Sequence, residues 1–434
     1  MKRQLIHGDS VKELKNFDDN SVDLLCTDPP YGYGFMGRDW DKVLPDINIF
    51  EECFRVLKPG SMAFVMSAPR SDVQYRMAEM LEKVGFRIDY TPIYWTYASG
   101  FPKAMNVSKM IDKQKGVKGK VVGKRKVTSS DIGQSSGWNK LDTNRGDYEY
   151  TKPASDEAKE LDGSYGGFQP KPAVEVVIVA MKPLDKKGYL EQVQDNGKGV
   201  TWFDDCRIPF DEGDDYDSYV DKQKSKTTKR KPREDGTVFK TSGFKSENDD
   251  TAEANPAGRF PANMLVSDEV LNDYSKFFSL DSWFEKNLES LPEPVQQTFP
   301  FMIVPKASKA EKNDGLDNFE VKQQKGGGGT SNDTWYEDDV NSASGKFGSE
   351  KAPSRNIHPT VKPLTLMNYL VVLGSRKGDV VLEPFAGSGT TALACVSQER
   401  DYIAIEREEE YYEIAKARLD KVEQPLKMWE KFSG

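Results

Sequence analysis

The sequence predicts an α/β fold in which a mostly parallel sheet, built from both ends of the chain, is covered by helices on both faces. Short apolar segments alternate with segments of helical periodicity before residue 98 and again after residue 357. Between them lies a long stretch rich in Gly, Lys, Ser, Asp and Asn. We therefore expect one α/β domain that is interrupted by a large insertion.

At the N-terminal end, strand and helix signals alternate. Pro29 and Pro30 stop one strand, Lys58-Pro59-Gly60 ends one helix and Gly85 ends the next. The predicted strands are 4–7, 22–27, 62–66 and 86–97, and the predicted helices are 48–57 and 71–84.

The C-terminal end repeats the alternation, with strands predicted at 379–383 and 402–406 and helices at 364–374, 390–398 and 409–422. Inside the insertion, Val174 to Met181 is an isolated apolar run, which we expect to return to the sheet as a strand. The predicted organisation is a first half at 1–97, an insertion at 98–357, a second half at 358–425 and a tail at 426–434.

Composition excludes several classes of protein. No run of eighteen apolar residues is present, and the N-terminus lacks the apolar core of a signal peptide, so we expect a cytoplasmic protein without a membrane partner. The four cysteines, at 26, 53, 206 and 395, are too far apart for a zinc or redox pair. With two histidines and no carboxylate spacing of the right kind, no metal site is predicted.

The formal net charge of −9 argues against a nucleic-acid partner if it is taken alone, but the charges are unevenly distributed. Residues 103–126 hold nine Lys or Arg and one acid, Asp112, while 222–233 hold seven Lys or Arg and no acid. Such runs are either solvated segments or contacts to phosphates.

The first candidate site is Thr27-Asp28-Pro29-Pro30-Tyr31-Gly32, directly after a buried strand. The carboxylate of Asp28 and the carbonyl of Pro29 can accept hydrogen bonds from the two N–H groups of an aromatic amine. These contacts free the lone pair of the nitrogen for attack. Pro30 fixes the backbone, and Tyr31 offers a ring on which a base can stack. The alternative is a structural turn with a packed tyrosine.

The second candidate site, Glu383-Pro384-Phe385-Ala386-Gly387-Ser388-Gly389-Thr390-Thr391, joins a strand to a helix. Glycines allow close approach of a ligand, and the helix N-terminus offers free N–H groups. Gly387-x-Gly389-x-x-Ala392 also matches the dinucleotide fingerprint, and Glu406 follows 19 residues after Gly387. From this motif alone, a nicotinamide-dependent dehydrogenase is a rival interpretation.

The two motifs together, in this order, resemble the β class of DNA amino-methyltransferases, including members from phages and prophages. The resemblance covers roughly residues 1–100 and 355–425 and includes further segments. These are Gly32 to Asp41, Ser99 to Lys103 with Asn106 to Lys109, Lys171 to Glu175, Gly258 to Asn263 and His358 to Pro363.

The resemblance implies a Rossmann-like fold for S-adenosylmethionine-dependent methyltransferases, with a seven-stranded sheet and a target-recognition insertion. It also implies the roles of individual residues. Asp28, Pro29, Pro30 and Tyr31 would be catalytic, and the cofactor would be held by Asp9, Lys362, Glu383, Phe385, Gly387, Ser388, Gly389, Thr390 and Glu406. Glu383 departs from the family pattern, in which Asp is common.

The resemblance implies methylation of adenine N6 in double-stranded DNA. Cytosine N4 is the alternative, because it presents the same two N–H bonds, and Asp at position 28 favours adenine. A DNA-binding or nicotinamide-binding protein without transferase activity is a third hypothesis. The sequence leaves open the recognition sequence, an accompanying restriction enzyme and the formation of a homodimer.

Overall fold

The computed structural model describes most of the chain outside the insertion and parts of the insertion itself. The described residues are 3–32, 43–97, 104–125, 148–168, 173–210, 216, 255–267, 271, 277–291, 296, 309–321, 355–358 and 360–433. The loop that contains Phe35 and Trp40, which could cover the site or pack beneath the sheet edge, lies outside these residues, as does the basic run 222–233.

The described residues contain ten strands, most of them near the predicted positions. They are β1 (Arg3–His7), β2 (Val22–Thr27), β3 (Leu57–Ser67), β4 (Ile93–Thr96), β5 (Lys120–Arg125), β6 (Tyr148–Lys152), β7 (Val174–Met181), β8 (Met264–Val266), β9 (Val380–Glu383) and β10 (Asp401–Glu406). β4 is shorter than the predicted 86–97 because Pro92, which has no N–H, precedes it; Arg87 forms only an isolated bridge to Met181.

Eleven α-helices lie in the described residues. They are α1 (Ser10–Leu14), α2 (Ile47–Val56), α3 (Ser71–Val84), α4 (Val107–Gln114), α5 (Asp156–Glu160), α6 (Tyr189–Asn196), α7 (Leu280–Glu289), α8 (Lys309–Asn313), α9 (Leu364–Gly374), α10 (Thr390–Ser397) and α11 (Glu409–Ser433). The backbone of α11 stays helical beyond Val422 and Pro425, through the segment predicted to be a tail. Sequence signals of helix ends therefore placed this boundary too early.

Eight strands form one sheet in the order β1-β10-β9-β2-β3-β7-β4-β8, and β5 pairs with β6 in a separate hairpin. All neighbours in the large sheet are parallel except that β7 runs antiparallel to both β3 and β4. The fold class is confirmed, with one strand more than predicted. The additional strand, β8, is too short to show an alternating pattern in the sequence.

The two chain ends meet where β2 pairs with β9, through the partners Leu24↔Val381 and Leu25↔Leu382. From β9 the chain continues to β10 on one side, whereas from β2 it continues to β3 on the other side. The strand order therefore reverses between β9 and β2. In open α/β sheets, ligands bind in the crevice outside the carboxyl ends of the strands at such a point.

Helices cover both faces of the sheet. Leu24 and Cys26 of β2 belong to a core with the buried helices α9 and α10, while Leu25 belongs to a core on the opposite face with α1, α2 and α3. A Cβ on Gly374 at the end of α9 would lie 2.6 Å from Leu24 and 2.7 Å from Phe64. Helix α9 thus packs directly on the strands that carry the crevice.

A buried ion network joins the amino ends of the central strands. Lys198 Nζ lies 2.8 Å from both Asp23 of β2 and Asp379 next to β9, and Lys58 Nζ of β3 lies 2.6 Å from Asp23. Burial alone raises the pKa of Asp23, but Lys198, Lys58 and the Val380 N–H outweigh it, and the pKa is lowered. The network therefore stabilises the pairing of β2, β3 and β9 in the ionised state.

Within the described residues, no helix is long and apolar enough to cross a membrane.

Replacing Lys198 by Met should destabilise the protein, because Asp23 and Asp379 would lose the buried cation between them and Asp23 would keep only the partly exposed Lys58. We expect a loss of about 3–5 kcal/mol in the free energy of unfolding at pH 7, measured by urea denaturation. Since the folded pKa of Asp23 lies below its ordinary value of 3.8, the difference should shrink as the pH falls through that region.

The matched control is Lys377→Met, which breaks an exposed pair of 2.7 Å with Glu399. It should cost at most about 1 kcal/mol. Equal losses in the two variants would contradict a special role for the buried network.

Candidate functional site

Four acidic residues lie in a row along the carboxyl edge of the sheet. Asp9 follows β1, Glu406 ends β10, Glu383 ends β9 and Asp28 follows β2. Because these four strands are neighbours and parallel, their carboxyl ends share one edge. The structure thus brings the two predicted site motifs, more than 350 residues apart in sequence, to the same crevice.

The direct link between the two motifs is a hydrogen bond. Thr27 Oγ1, one residue before Asp28, donates to Glu383 Oε1 at 2.5 Å. Glu383 also accepts from Thr391 Oγ1 at 2.8 Å and from the Phe385 N–H at 3.0 Å. Burial raises the pKa of Glu383 to about 8, despite these three donors. The carboxyl group therefore holds the strand end, the glycine turn and α10 together.

Both oxygens of Asp28 are occupied by donors from the protein. Tyr31 Oη donates to Oδ1 at 2.7 Å, and the ammonium of Lys362 contacts Oδ2. Pro29 is buried, whereas Asp28, Pro30 and Tyr31 are half-buried, and Gly32 has a φ of +72° that favours glycine. The turn therefore presents the carboxylate and the tyrosine ring at the strand end.

Lys362 was predicted to contact the cofactor, and the structure places its ammonium on Asp28. The side chain is 9% exposed; Nζ lies 3.4 Å from Glu175 Oε2 and 5.6 Å from the centre of the Tyr31 ring. Burial alone lowers the pKa of Lys362, but Asp28 and Glu175 outweigh it and the pKa is raised. Glu175 lies in β7 and had no separate role in the sequence-based interpretation.

The glycine turn follows β9 and leads into α10. Gly387 and Gly389 have φ values of +54° and +79°, a region that side chains disfavour. A Cβ on Gly387 would lie 2.8 Å from His358 Nε2, and one on Gly389 would lie 3.0 Å from the Cβ of Ala415. Both positions therefore require glycine by conformation and by space.

Glu406 faces this turn. Its Oε2 accepts from the Gly387 N–H at 2.7 Å and its Oε1 from the Glu408 N–H at 2.8 Å. Burial raises the pKa of Glu406 to about 7. The neighbouring Asp9 caps α1 by accepting from the Lys12 N–H at 3.2 Å. Glu406 therefore lies between the glycine turn and the end of β1. Asp9 lies on the same edge, and its carboxylate also stabilises the start of α1.

The remaining residues of the turn are held from outside the motif. Phe385 packs 6.3 Å from the ring of Phe50, measured between ring centres. The buried guanidinium of Arg418 donates to the Ser388 carbonyl at 2.5 Å and lies 3.1 Å from Ser388 Oγ and 3.4 Å from Thr390 Oγ1. The predicted site residues Ser388 and Thr390 thus contact a helix α11 arginine that the motif gave no reason to select.

A second set of supporting residues that sequence reasoning missed lies in α8 and in the segment 355–358. Glu311 Oε1 accepts from the Leu364 N–H at the start of α9 at 2.8 Å. Asn313 accepts from the Asn356 N–H at 3.0 Å, and Asn356 in turn accepts from the His358 N–H at 2.9 Å. This chain of contacts holds the imidazole of His358 against Gly387. Glu311, Asn313 and Asn356 lie in the polar insertion, where no periodic pattern points to them.

The donors and acceptors along this edge fit a nucleoside cofactor. Buried carboxylates can accept from ribose hydroxyls, the glycine turn leaves room for close approach, and the N-terminus of α10 offers N–H groups to a carboxylate. No cluster of three or more metal-ligating side chains occurs in the part of the chain that the structure describes. The fold and this edge together are those expected of an α/β protein with a nucleoside-type cofactor site at its switch point.

Comparison with known proteins identifies the family. The profile of the DNA methylase family N6_N4_Mtase matches residues 22–417, and the chain belongs to this family. The predicted resemblance to DNA amino-methyltransferases is thereby confirmed. Membership also supports S-adenosylmethionine as the cofactor, in agreement with the prediction.

Among individual proteins, the chain is similar to the Type II methyltransferase M2.MboI of Moraxella bovis, with 44% identity over 70 residues. That alignment covers 16% of this chain and 26% of the relative, so the chain spans about a quarter of the length of the curated protein it matches.

Two solved structures are more distantly similar. The cytosine-N4-specific PvuII DNA methyltransferase is 13% identical with a TM-score of 0.40, over 98% of this chain and 93% of that chain. The M1.HpyAVI complex with S-adenosylmethionine is 14% identical with a TM-score of 0.35, over 96% and 98%. The family assignment rests on the sequence match and not on these likenesses.

The buried acid at position 383 should make stability depend on pH. Because the folded pKa of Glu383, about 8, lies above its ordinary value of 4.5, its contribution to stability is lost as the pH rises between those values. In Glu383→Gln, which stays neutral, we expect the free energy of unfolding relative to wild type to increase by at least about 1.5 kcal/mol from pH 5 to pH 8.5.

Urea denaturation of both proteins at the two pH values measures this difference. The contribution of Glu406 is present in both proteins and cancels. A difference that is constant with pH would show that Glu383 is ionised throughout.

Proposed function

We propose that the protein is a DNA methyltransferase that transfers a methyl group from S-adenosylmethionine to the N6 amine of adenine in double-stranded DNA. The observation that carries the proposal is the position of Asp28, at the carboxyl end of the strand next to the glycine turn, joined to it through Thr27 and Glu383. A methyl donor in the turn and an amine at Asp28 would then share one crevice.

The chemistry at the amine follows from the residues of the turn. The lone pair of an aromatic amine is delocalised into the ring, so the nitrogen is a weak nucleophile. Acceptors at its two N–H bonds, the Asp28 carboxylate and the Pro29 carbonyl, would localise the lone pair and stabilise the positive charge that develops on nitrogen. The half-buried Tyr31 ring, oriented by its hydrogen bond to Asp28, would stack on the base.

S-adenosylmethionine supplies a methyl group that its sulfonium has already activated, so the protein has mainly to align the two reactants. The bond between the sulfur and the methyl group would break as the new N–C bond forms, the cofactor would leave as a neutral thioether, and the methylated amine would then lose one proton to water. Glu406 would accept from the ribose hydroxyls of the cofactor, and Asp9 would contact its adenine. Gly387 and Gly389 would give the cofactor space, and His358 would lie beside its methionine part.

DNA binding is supported by the charge distribution of the lobe at 104–125 and 148–168, which connects β4 to β7 at the carboxyl edge of the sheet. Lys109, Lys113, Lys115 and Lys118 are exposed there. In 104–125 the single acid, Asp112, is turned inward and accepts from the Ala154 N–H at 2.7 Å and from the Ser155 N–H at 3.0 Å. Residues 148–168 add five acids and two lysines, and one of the acids, Glu157, pairs with Lys115. The stretch 104–125, with seven Lys or Arg, is therefore the basic part of the lobe, and binding through it should weaken steeply with salt.

We propose adenine over cytosine as the target because position 28 is Asp, as in the adenine-specific enzymes that the chain resembles. Mass spectrometry of nucleosides from DNA incubated with the protein and S-adenosylmethionine distinguishes the two. We expect N6-methyladenine in the wild type and a loss of at least about a hundredfold in Asp28→Asn, since one charged acceptor is removed.

Binding of labelled S-adenosylmethionine should stay within a few-fold of wild type in Asp28→Asn. N4-methylcytosine as the product would replace the adenine assignment by the alternative. A protein that prefers NAD to S-adenosylmethionine, or turnover that is unchanged in Asp28→Asn, would contradict the proposal as a whole.

A second prediction concerns the glycine turn. In Gly387→Ala the new Cβ would lie 2.8 Å from His358, so either the turn or the histidine must move. We expect S-adenosylmethionine to bind at least tenfold more weakly, as measured by calorimetry.

Gly378→Ala is the matched control, because Gly378 also has a positive φ, +82°, but nothing within 4 Å of its Cβ position. Both variants should lose about 1–3 kcal/mol of stability from backbone strain. Only Gly387→Ala should bind S-adenosylmethionine more weakly than wild type. Equal affinities in the two variants would mean that the cofactor binds elsewhere.

A further inference from the structure

We propose that Lys362 is a positioning residue whose ammonium moves from Asp28 to Glu175 when the target amine enters the site. The inference rests on the proposed function and adds two residues to it, since neither Lys362 nor Glu175 has so far been connected with the amine. The ammonium would hold Asp28 in the unliganded protein and release it to the substrate.

The first observation is that Asp28 has no vacant oxygen. Tyr31 occupies Oδ1 at 2.7 Å, and Lys362 occupies Oδ2. An amine N–H can reach the carboxylate only by sharing or replacing one of these donors. Tyr31 is three residues away in the same turn, whereas Lys362 comes from the segment that precedes α9, so the lysine is the donor that can withdraw without rebuilding the turn.

The second observation is that a buried acceptor lies beside the ammonium. Glu175 Oε2 is 3.4 Å from Lys362 Nζ and receives no hydrogen bond from the described residues. A buried cation without a partner is strongly disfavoured, so Lys362 could not leave Asp28 unless another carboxylate replaced it. A small movement toward Glu175 turns a loose contact into a hydrogen bond and keeps the charge paired.

The third observation is the anchoring of Glu175. It lies in β7 opposite Trp95 of β4, in the interior of the sheet. Tyr97, just after β4, hydrogen-bonds to it, and burial together with Glu175 raises the pKa of Tyr97. Glu175 is therefore a fixed acceptor, and the flexible partner of the pair is the lysine.

The charged and titratable groups around the ammonium are Asp28 and Tyr31 after β2 and Glu175 of β7, with Tyr97 behind Glu175 and Glu383 of β9 near Asp28. Lys362 contacts two of three neighbouring carboxyl groups. Its charge is paired with Asp28 and Glu175 before the exchange and stays paired with a carboxylate after it.

The test compares Lys362→Met, Lys362→Arg and Glu175→Gln with wild type, and uses Lys377→Met as a matched control from an exposed ion pair. In Glu175→Gln the ammonium should stay on Asp28, so kcat should fall at least tenfold while the affinity for S-adenosylmethionine changes less than threefold. In Lys362→Met the acidic limb of the pH profile of kcat should move at least one pH unit higher. In Lys362→Arg, which keeps the charge, the acidic limb of the pH profile of kcat should stay at its wild-type position.

Stability gives a readout that needs no turnover. Without the ammonium, Asp28 and Glu175 repel each other when both are ionised, so Lys362→Met should become less stable relative to wild type as the pH rises from 4 to 8. The difference for Lys377→Met should stay constant. If the wild type transfers no methyl group but this pH dependence is present, the proposed function fails and the ion-pair arrangement stands.

Two results would overturn the inference. Wild-type kcat and pH profile in both Lys362→Met and Glu175→Gln would show that the exchange does not occur. A loss of S-adenosylmethionine affinity in Lys362→Met that matches its loss of kcat would make Lys362 a cofactor ligand instead.

Discussion

The parallel pairing of β2 with β9 is the constraint on which the rest of the site depends. It joins strands from opposite ends of the chain at the point where the strand order reverses, through Leu24↔Val381 and Leu25↔Leu382. The hydrogen bond from Thr27 to Glu383 then connects the first residues of the two motifs at 2.5 Å. Neighbouring strands lie only about 5 Å apart, so the pairing alone brings the carboxylate of Asp28 next to the glycine turn.

The same edge concentrates carboxyl groups in a partly dry environment. Burial raises the pKa of Glu383 to about 8 and that of Glu406 to about 7, so these carboxyl groups hold protons more strongly than exposed acids do. At Asp28 the charge is balanced by Lys362, which is buried between Asp28 and Glu175. A cationic ligand beside these groups would favour their ionised forms, which links ligand binding at this edge to proton release.

Much of this arrangement follows from local sequence. The apolar runs at Val22–Thr27, Val380–Glu383 and Val174–Met181 were recognisable because buried strands of parallel sheets are apolar on both faces. The two motifs could be expected at one edge because parallel strands share their carboxyl ends. The partners from distant segments could not be predicted: Arg418 on Ser388, Glu311 on the start of α9 and Glu175 beside Lys362 depend on tertiary packing, which leaves no periodic signal. The sequence selected Lys362 only as part of a segment that resembles the family. Its contact with Asp28 is visible only in the structure.

The proposed reaction requires the cofactor and the target amine to meet in the crevice between β9 and β2. The decisive experiment is a crystal structure with a non-reactive analogue of S-adenosylmethionine and a duplex that contains the target base. We expect the analogue against Gly387 and Glu406, with the methyl-bearing position directed at an extrahelical base whose amine lies within hydrogen-bond distance of Asp28. An analogue bound on another face of the sheet, or an amine more than 10 Å from Asp28, would contradict it.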